Sequence, residues 1–476
     1  MDKQNLTMLT DFYELTMANG YFLEEMGEKT VYFDLFYRRN PEGGGYVVAA
    51  GLQSLIEYLQ DLKFTEEDLA FLKDKGFDDA FLDYLRHFEF SCDVWAVPEG
   101  TPVFPNEPIV VVRGPAIQAQ FIETMALLLI SHQSLIATKA NRIVRAAEGR
   151  AIMEFGSRRA HGSAAAILGA RAAYIGGVAG TACAICEPAY GIPALGTMAH
   201  SWVQLYDSEY EAFKAYARHY PDNCTLLVDT YDVLKSGVPN AIRVFDELKP
   251  AKKGIRIDSG DIAYLTKRAR KMLDDAGHAD AKIVISNSLD EYIIHDVLRQ
   301  GACIDSFGVG ERLITSKAEP VLGGVYKLAA VEAEDGTIIP KIKVSENVEK
   351  VTNPGYKKVY RLYEKETGHA FADVLCLADE HPPVPGDYTV VDPLSPRMIK
   401  HLDSDFEVRE LLVPIFKGGK LVYESPDLQT IKAACAENLD NLWEEVLRFE
   451  NPHRYFVDLS PRLWELKNKL LEEYDF

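Results

Sequence analysis

Gly254-Ile255-Arg256-Ile257-Asp258-Ser259-Gly260-Asp261 reads as a strand, its end and the start of a helix. Side chains alternate along a strand with period two, so Arg256 and Asp258 share a face. Ser259 and Asp261 can cap the following helix, and Gly260 lets the backbone approach a ligand. The pattern recurs on either side. Short apolar runs ending in a small or polar residue occupy Ala151–Phe155, Ala194–Thr197, Leu226–Asp229, Ile255–Asp258, Lys282–Ser286 and Ile304–Gly308. Helical stretches lie between them at Glu209–His219, Asp261–Ala276 and Leu289–Gln300. Strand and helix alternating every 20 to 30 residues or so predict parallel β/α units. Six in series favour a barrel over a small open sheet. Chemistry in such folds sits where strands end, and the residues there are Arg158, His200, Asp229, Arg256, Asp258, Ser286 and Gly308.

The flanks have a different texture. Upstream, strand-like pieces (Val31–Tyr37, Tyr46–Ala49, Ile109–Arg113) mix with helical ones (Leu52–Leu62, Glu66–Lys75), as in an α+β domain. Apolar spacing is then helical from Phe121 to Arg145. Beyond Ala330, Lys341–Arg361 and Phe371–Leu377 read as strands, and Asp440–Leu447 and Pro461–Glu473 as helices. The expected domains are residues 1–135, a barrel over 136–330, and a smaller mixed domain over 331–476.

Composition bounds the partners. The chain has 476 residues, 47% apolar and 26% charged, with a formal net charge of −21. A field of that sign repels a polyanion, which argues against a general nucleic-acid binder. Met1–Asp11 carries no apolar stretch after a basic start, and no apolar run approaches the ~20 residues that span a bilayer. A cytoplasmic protein without a membrane partner is expected. Seven cysteines, an odd number, argue against a disulfide framework. Cys183 and Cys186 form one CxxC with no second pair, read as small buried residues or as a redox pair.

Three segments carry chemistry. An Arg and an Asp together at a strand end suit a phosphorylated, polyhydroxylated substrate, the carboxylate meeting ribose hydroxyls and the cation an anion. Phe307-Gly308-Val309-Gly310-Glu311-Arg312 follows an apolar run, and its glycines either form a tight turn or free N–H groups for a phosphate. His200, in Gly196-Thr197-Met198-Ala199-His200, also follows a run. Asp229 ends the next one, where a carboxylate could fix the imidazole tautomer. No HExxH and no P-loop occur in the chain.

Together these segments resemble the nicotinate phosphoribosyltransferase family. The matching stretches are Leu9–Met17, Phe33–Arg39, Glu154–Arg159, Gly196–His200, Leu227–Asp232, Ile255–Asp261, Ser286-Asn287, Phe307–Gly310, Asn451–Tyr455 and Val457–Ser460. They cover essentially the whole chain in order. The resemblance implies an irregular parallel α/β barrel of the type II phosphoribosyltransferase kind, flanked by an α+β N-terminal domain and a smaller C-terminal domain. It implies joining of nicotinate to phosphoribosyl pyrophosphate, with ATP as co-substrate, Mg²⁺, and a homodimer. His200 matches the histidine that ATP phosphorylates, and Asp229 the carboxylate beside it. Tyr13, Phe155, Arg158, Thr197 and Arg256 match nicotinate-site positions, with Tyr13 reaching in from a partner subunit. Asp258, Ser259 and Gly260 match the ribose and pyrophosphate side, and Gly308 and Gly310 the 5′-phosphate turn. Glu311 departs from the Thr common after that turn. Either it points away while backbone N–H groups hold the phosphate, or Thr315 or Lys317 takes over. The related nicotinamide enzyme places an Asp near its pocket, and Gly176-Gly177 offers no carboxylate in the corresponding stretch, which favours nicotinate as the base.

Overall fold

Six strands lie side by side in one parallel sheet: β1 (Ala151–Glu154), β2 (Gly180–Thr181), β3 (Cys224–Leu227), β4 (Lys253–Ile257), β5 (Lys282–Asn287) and β6 (Ser306–Val309), in the order β2-β1-β6-β5-β4-β3. The computed structural model describes residues 5–347, 350–386, 388–395, 399–402 and 405–474. The chain clusters into two units, Ile136–Pro320 and Met1–Leu135 with Val321–Phe476. The sheet belongs to the first, and the expected barrel takes the form of a half-barrel.

A parallel strand flanked by helices is buried on both faces and needs a nearly unbroken apolar run. Ile255 and Ile257 of β4, and Ile283, Val284 and Ile285 of β5, are all buried. Helices return the chain between strands. Asp261 caps Ile262–Asp275 by accepting from the Tyr264 N–H at 2.8 Å, and Asp290 caps Glu291–Arg299 through the Ile293 N–H at 2.9 Å. Because the strands run the same way, every loop after a strand leaves from one end of the sheet. That end carries residues 155–159, 181–183, 228–232, 258–261 and 310–311.

One expected strand is displaced. Residues 194–197 make a single bridge, Ala194 to Thr181, and the sheet strand is the two-residue β2. The segments are held by Thr181 N–H to Pro193 O at 3.0 Å and Leu195 N–H to Thr181 O at 2.8 Å. A side chain at Gly180 would stand 2.4 Å from Pro193 O, so glycine permits that approach. The CxxC lies just beyond β2, across the start of the helix Cys186–Tyr190, and all seven cysteines are free.

The other unit holds a seven-stranded sheet, a six-stranded sheet and a short two-stranded one. Residues 321–330, grouped with the barrel on sequence, belong here. The strand Gly324–Glu332 pairs antiparallel with Thr30–Tyr37, which joins the segments that precede and follow residues 136–320 in sequence into one unit. Among the described residues of Lys341–Arg361, only the end is strand (Lys357–Glu364). The helix expected at Asp440–Leu447 lies upstream instead, at Leu428–Asp440, started by the Asp427 carboxylate on the Thr430 N–H. Two buried ion pairs brace this unit. Arg361 meets Asp373 through two hydrogen bonds of 2.8 and 2.6 Å, and Lys357 meets Asp34 at 2.7 Å.

Glu14, on the helix Phe12–Leu23, is fully buried. Its carboxyl accepts from the Thr124 N–H at 3.1 Å, the Thr124 hydroxyl at 2.5 Å and the Thr10 hydroxyl. Burial pushes its pKa from 4.5 up to about 7; the hydroxyl bonds offset part of the rise and the nearby Glu123 adds to it. Between those values the folded chain binds more protons than the unfolded one, so stability falls as pH rises through that window. A tenfold difference in proton affinity between the two states is worth about 1.4 kcal/mol. We expect the urea midpoint to drop between pH 5 and 8 or so, and Glu14→Gln to remove much of that slope. An equal slope in the variant would show that another group is responsible.

Candidate active site

Strand β4 delivers Arg256 and Asp258 to one side, with Arg256 Nη2 3.8 Å from Asp258 Oδ1. The guanidinium is mostly buried. Nη1 donates to Thr197 Oγ1 at 2.6 Å and to Met198 O at 3.0 Å, while Nε is buried without a partner. Burial lowers the Arg256 pKa from its ordinary value. The Arg158 cation lowers it further, and Asp258 and Asp229 act the other way. Two guanidiniums thus bear on the same end of the sheet. Arg158 itself stands exposed in the turn Ser157–Arg159 after β1.

Asp258 is held from two directions. Its carboxylate accepts from the Ser286 hydroxyl at the end of β5, and its N–H donates to Asp229 Oδ2 at 3.0 Å. The same Asp229 oxygen accepts from Ser259 Oγ at 2.6 Å. Asp229 therefore fastens the turn 258–259, and its second oxygen is buried without a partner. Gly260 follows at φ 87°, a left-handed conformation that favours glycine, and Asp261 alone caps the helix.

The sequence reading sets Asp229 beside His200, and here the structure differs. His200 begins the helix His200–Gln204, and its Nδ1 lies 3.1 Å from Thr230 Oγ1. The neighbouring residue faces the ring because the Asp229 carboxylate is turned onto the backbone of the next strand's end. Thr230 is a functional candidate that sequence reasoning missed. Its signal was adjacency to Asp229 in a segment already singled out.

The glycine turn has a packing explanation that the sequence reading did not supply. A Cβ at Gly308 would lie 2.4 Å from the Phe155 ring, and one at Gly310 would lie 3.1 Å from Phe155 O. Phe155 N–H donates to Val309 O at 2.8 Å, which locks the two segments together. Neither glycine has positive φ, so close approach to Phe155 is the reason for both. Glu311 is turned to cations, 2.6 Å from Lys317 and 3.9 Å from Arg159, and its pKa is lowered mainly by Lys317. The Thr315 hydroxyl donates back to Glu311 O at 2.7 Å. Both residues named as substitutes for phosphate binding are thus engaged with Glu311. Overpacking of this kind costs about 1–3 kcal/mol, so Gly308→Ala should lower the urea midpoint and displace Phe155. An unchanged midpoint with unchanged tryptic stability would remove the packing account.

Tyr13 lies in the other unit, on the helix Phe12–Leu23, 45% exposed. Burial and the neighbouring Glu123 raise its phenol above the ordinary value. Gly176 and Gly177 are accounted for by the exit of the helix Ser163–Ile175. A Cβ at Gly176 would stand 2.4 Å from Ala137 O, and Gly177 has φ 114°. No group of three or more His, Cys, Asp or Glu residues suited to a metal occurs among the described residues, and none of the described helices is long and apolar enough to cross a membrane.

Family models described as the nicotinate phosphoribosyltransferase N-terminal domain, family and C-terminal domain match residues 8–131, 150–360 and 356–467. The nicotinate phosphoribosyltransferase of Bacillus subtilis (strain 168) is 45% identical over 472 residues, covering 98% of this chain and 96% of that one. The Homo sapiens protein of the same name is 31% identical over 527 residues, with 97% and 96% covered. The crystal structure of human nicotinic acid phosphoribosyltransferase superposes with a TM-score of 0.84 at 29% identity, covering 97% of this chain and 99% of that one.

Proposed function

The chain belongs to the nicotinate phosphoribosyltransferase family, and from that premise we propose how its own residues carry the reaction. It joins nicotinate to the ribose of phosphoribosyl pyrophosphate, making the C–N glycosidic bond of nicotinate mononucleotide and releasing pyrophosphate, on the way to NAD. The observation that carries the residue assignment is the Arg256–Asp258 pair at the end of β4, with Thr197, Asp229 and Ser286 bonded to it.

The pyridine nitrogen of nicotinate is unprotonated at neutral pH, so the site needs no general base and works by positioning. Phe155 gives the aromatic wall, with Tyr13 supplied by a partner subunit of a homodimer. Arg158 and Arg256 face the nicotinate carboxylate, and Thr197 keeps Arg256 in place. As the bond from C1 to pyrophosphate breaks, positive charge develops on the ribose ring. Asp258, oriented by Ser286, stabilises that charge and accepts from the ribose hydroxyls. Ser259 and Gly260 border the pyrophosphate, while the N–H at Gly310 faces the 5′-phosphate; the Gly308 N–H lies within the sheet, and that glycine makes room for Phe155. The free Asp229 oxygen and Asp258 would hold a Mg²⁺ ion as two carboxylate donors, and the ion would supply positive charge against the leaving pyrophosphate.

His200 accepts the γ-phosphoryl group of ATP: a P–N bond forms, the bond to the bridging oxygen breaks, and ADP leaves. The Thr230 hydroxyl on Nδ1 orients the ring. Hydrolysis of this phosphohistidine couples ATP to base transfer, in the cytoplasm. Assay of nicotinate mononucleotide from nicotinate and phosphoribosyl pyrophosphate, with and without ATP, tests the reading. Product should form in both, faster with ATP; an identical rate would remove the coupling, and higher kcat/KM with nicotinamide would reverse the base.

A further inference from the structure

Glu154, the last residue of β1, is fully buried, yet nothing in the mechanism above uses it. A carboxyl in such a place is costly unless its oxygens are satisfied. One oxygen accepts from the Gly156 N–H, and the other meets the Thr181 hydroxyl at 2.6 Å. Thr181 ends β2, and its oxygen in turn accepts from the Cys183 N–H at 2.9 Å. The main chain repeats the tie, with Ala182 N–H on Glu154 O at 2.8 Å. One residue therefore fastens the loops leaving two neighbouring strand ends, and the first of those loops carries Phe155 and Arg158. The grip is close. A Cβ at Gly156 would lie 2.7 Å from the bound carboxyl oxygen and 2.6 Å from the Ile314 side chain. Burial raises the Glu154 carboxyl above its ordinary pKa, against the lowering effect of the Thr181 and Gly156 bonds.

We propose that Glu154 is a positioning residue for the base: through Gly156 and Thr181 it sets Phe155 and Arg158, and with them the affinity for a heteroaromatic carboxylate. The inference rests on the assignment of Phe155 and Arg158 to nicotinate. It separates Glu154 from the phosphoribosyl side, because its side chain bonds to β1 and β2 loops and not to the 258–261 turn.

The test is steady-state kinetics of the full chain, with nicotinate and phosphoribosyl pyrophosphate varied in turn, for Glu154→Ala, Glu154→Gln and Thr181→Val. Loss of an outer partner that orients a metal ligand typically costs about 10- to 100-fold in affinity or activity, and Glu154 stands in the same relation to Phe155 and Arg158. Glu154→Ala should raise KM for nicotinate by about tenfold or more while KM for phosphoribosyl pyrophosphate stays within about twofold. Gln keeps an acceptor for the Gly156 N–H and a polar partner for Thr181, so it should restore KM to within about threefold of the original. Thr181→Val, which removes one hydroxyl, should raise the same constant by a smaller factor and decides the matter if the Ala variant does not fold. Unshifted nicotinate KM in the variants, or equal rises in both constants, would overturn the assignment of Glu154. An unaltered chain that makes no nicotinate mononucleotide would overturn the underlying substrate reading as well.

Discussion

Replacement of His200 by Ala is expected to abolish the acid-labile phosphate that γ-labelled ATP leaves on the chain, together with any acceleration by ATP. ATP-independent formation of nicotinate mononucleotide should persist, because the ring bonds to Thr230 and the ribose-side contacts come from Asp229, Asp258 and Ser286. Label surviving in His200→Ala would place the phosphoryl acceptor elsewhere. The geometry also orders the variants around it. Thr230→Val removes the hydroxyl on Nδ1 and should slow labelling by about 10- to 100-fold, as loss of an orienting contact does. Asp229→Asn should act chiefly on KM for phosphoribosyl pyrophosphate, since its carboxylate holds the 258–259 turn. If Asp229→Asn instead slowed labelling and Thr230→Val did not, the carboxylate would be the partner of the imidazole after all.

That reversal of roles shows what a sequence does and does not display. The parallel unit was legible because buried strands need apolar runs, and most runs here stop at a small or polar letter where the loop begins. The helix Glu209–His219 matches to the residue, and Pro461–Glu473 does too. Gly180–Thr181 was not legible, because two residues have no period and its partner segment at Ala194 offered a longer apolar run. Lys341–Arg361 failed for the opposite reason: alternating letters continue well ahead of the paired strand, and pairing is fixed by Leu377 opposite Lys357, not by propensity. At Asp440–Leu447 the apolar residues Leu442, Val446 and Leu447 are indeed buried, but short turns hold them, such as the Val446 N–H on Trp443 O.

Residue types at the site were readable, whereas their partners were not. Which of Asp229 and Thr230 faces His200 depends on the path of the chain beyond β3, and that is set by bonds to the neighbouring strand's loop. Glu154 left one faint mark. It shares a strand face with buried Ile152, and a carboxyl in that register needs dedicated partners. Charge was legible in bulk and silent in detail. A chain of net charge −21 handling an anionic base and an anionic sugar phosphate must concentrate its cations, and Arg158 and Arg256 bearing on each other do so at one end of one sheet.

The carboxylate opposite those cations should be the most costly side chain to lose. Asp258→Ala is expected to lower kcat/KM for phosphoribosyl pyrophosphate by about 10²- to 10³-fold, the usual effect of removing one preorganised group from a developing charge. The loss should fall on kcat as well as KM, because positive charge on the ribose ring is greatest in the transition state. Ser286→Ala leaves the carboxylate but frees its rotation, so it should show a smaller loss in the same parameter. Asp258→Asn keeps the shape and the bond to Ser286 while removing the charge, and so separates the two contributions. Activity near the original level in Asp258→Asn would mean that hydrogen bonding to the ribose hydroxyls, rather than charge, is what the site uses. Full activity in Asp258→Ala would remove the carboxylate from the mechanism. Arg256 complicates the Ala variant in a predictable way: with Asp258 gone its cation is offset by Asp229 alone, so nicotinate should bind at least as tightly while the transfer step slows. A fall in nicotinate affinity equal to the fall in turnover would instead mark the Arg256–Asp258 pair as one structural unit, without the division between base and sugar that its geometry implies.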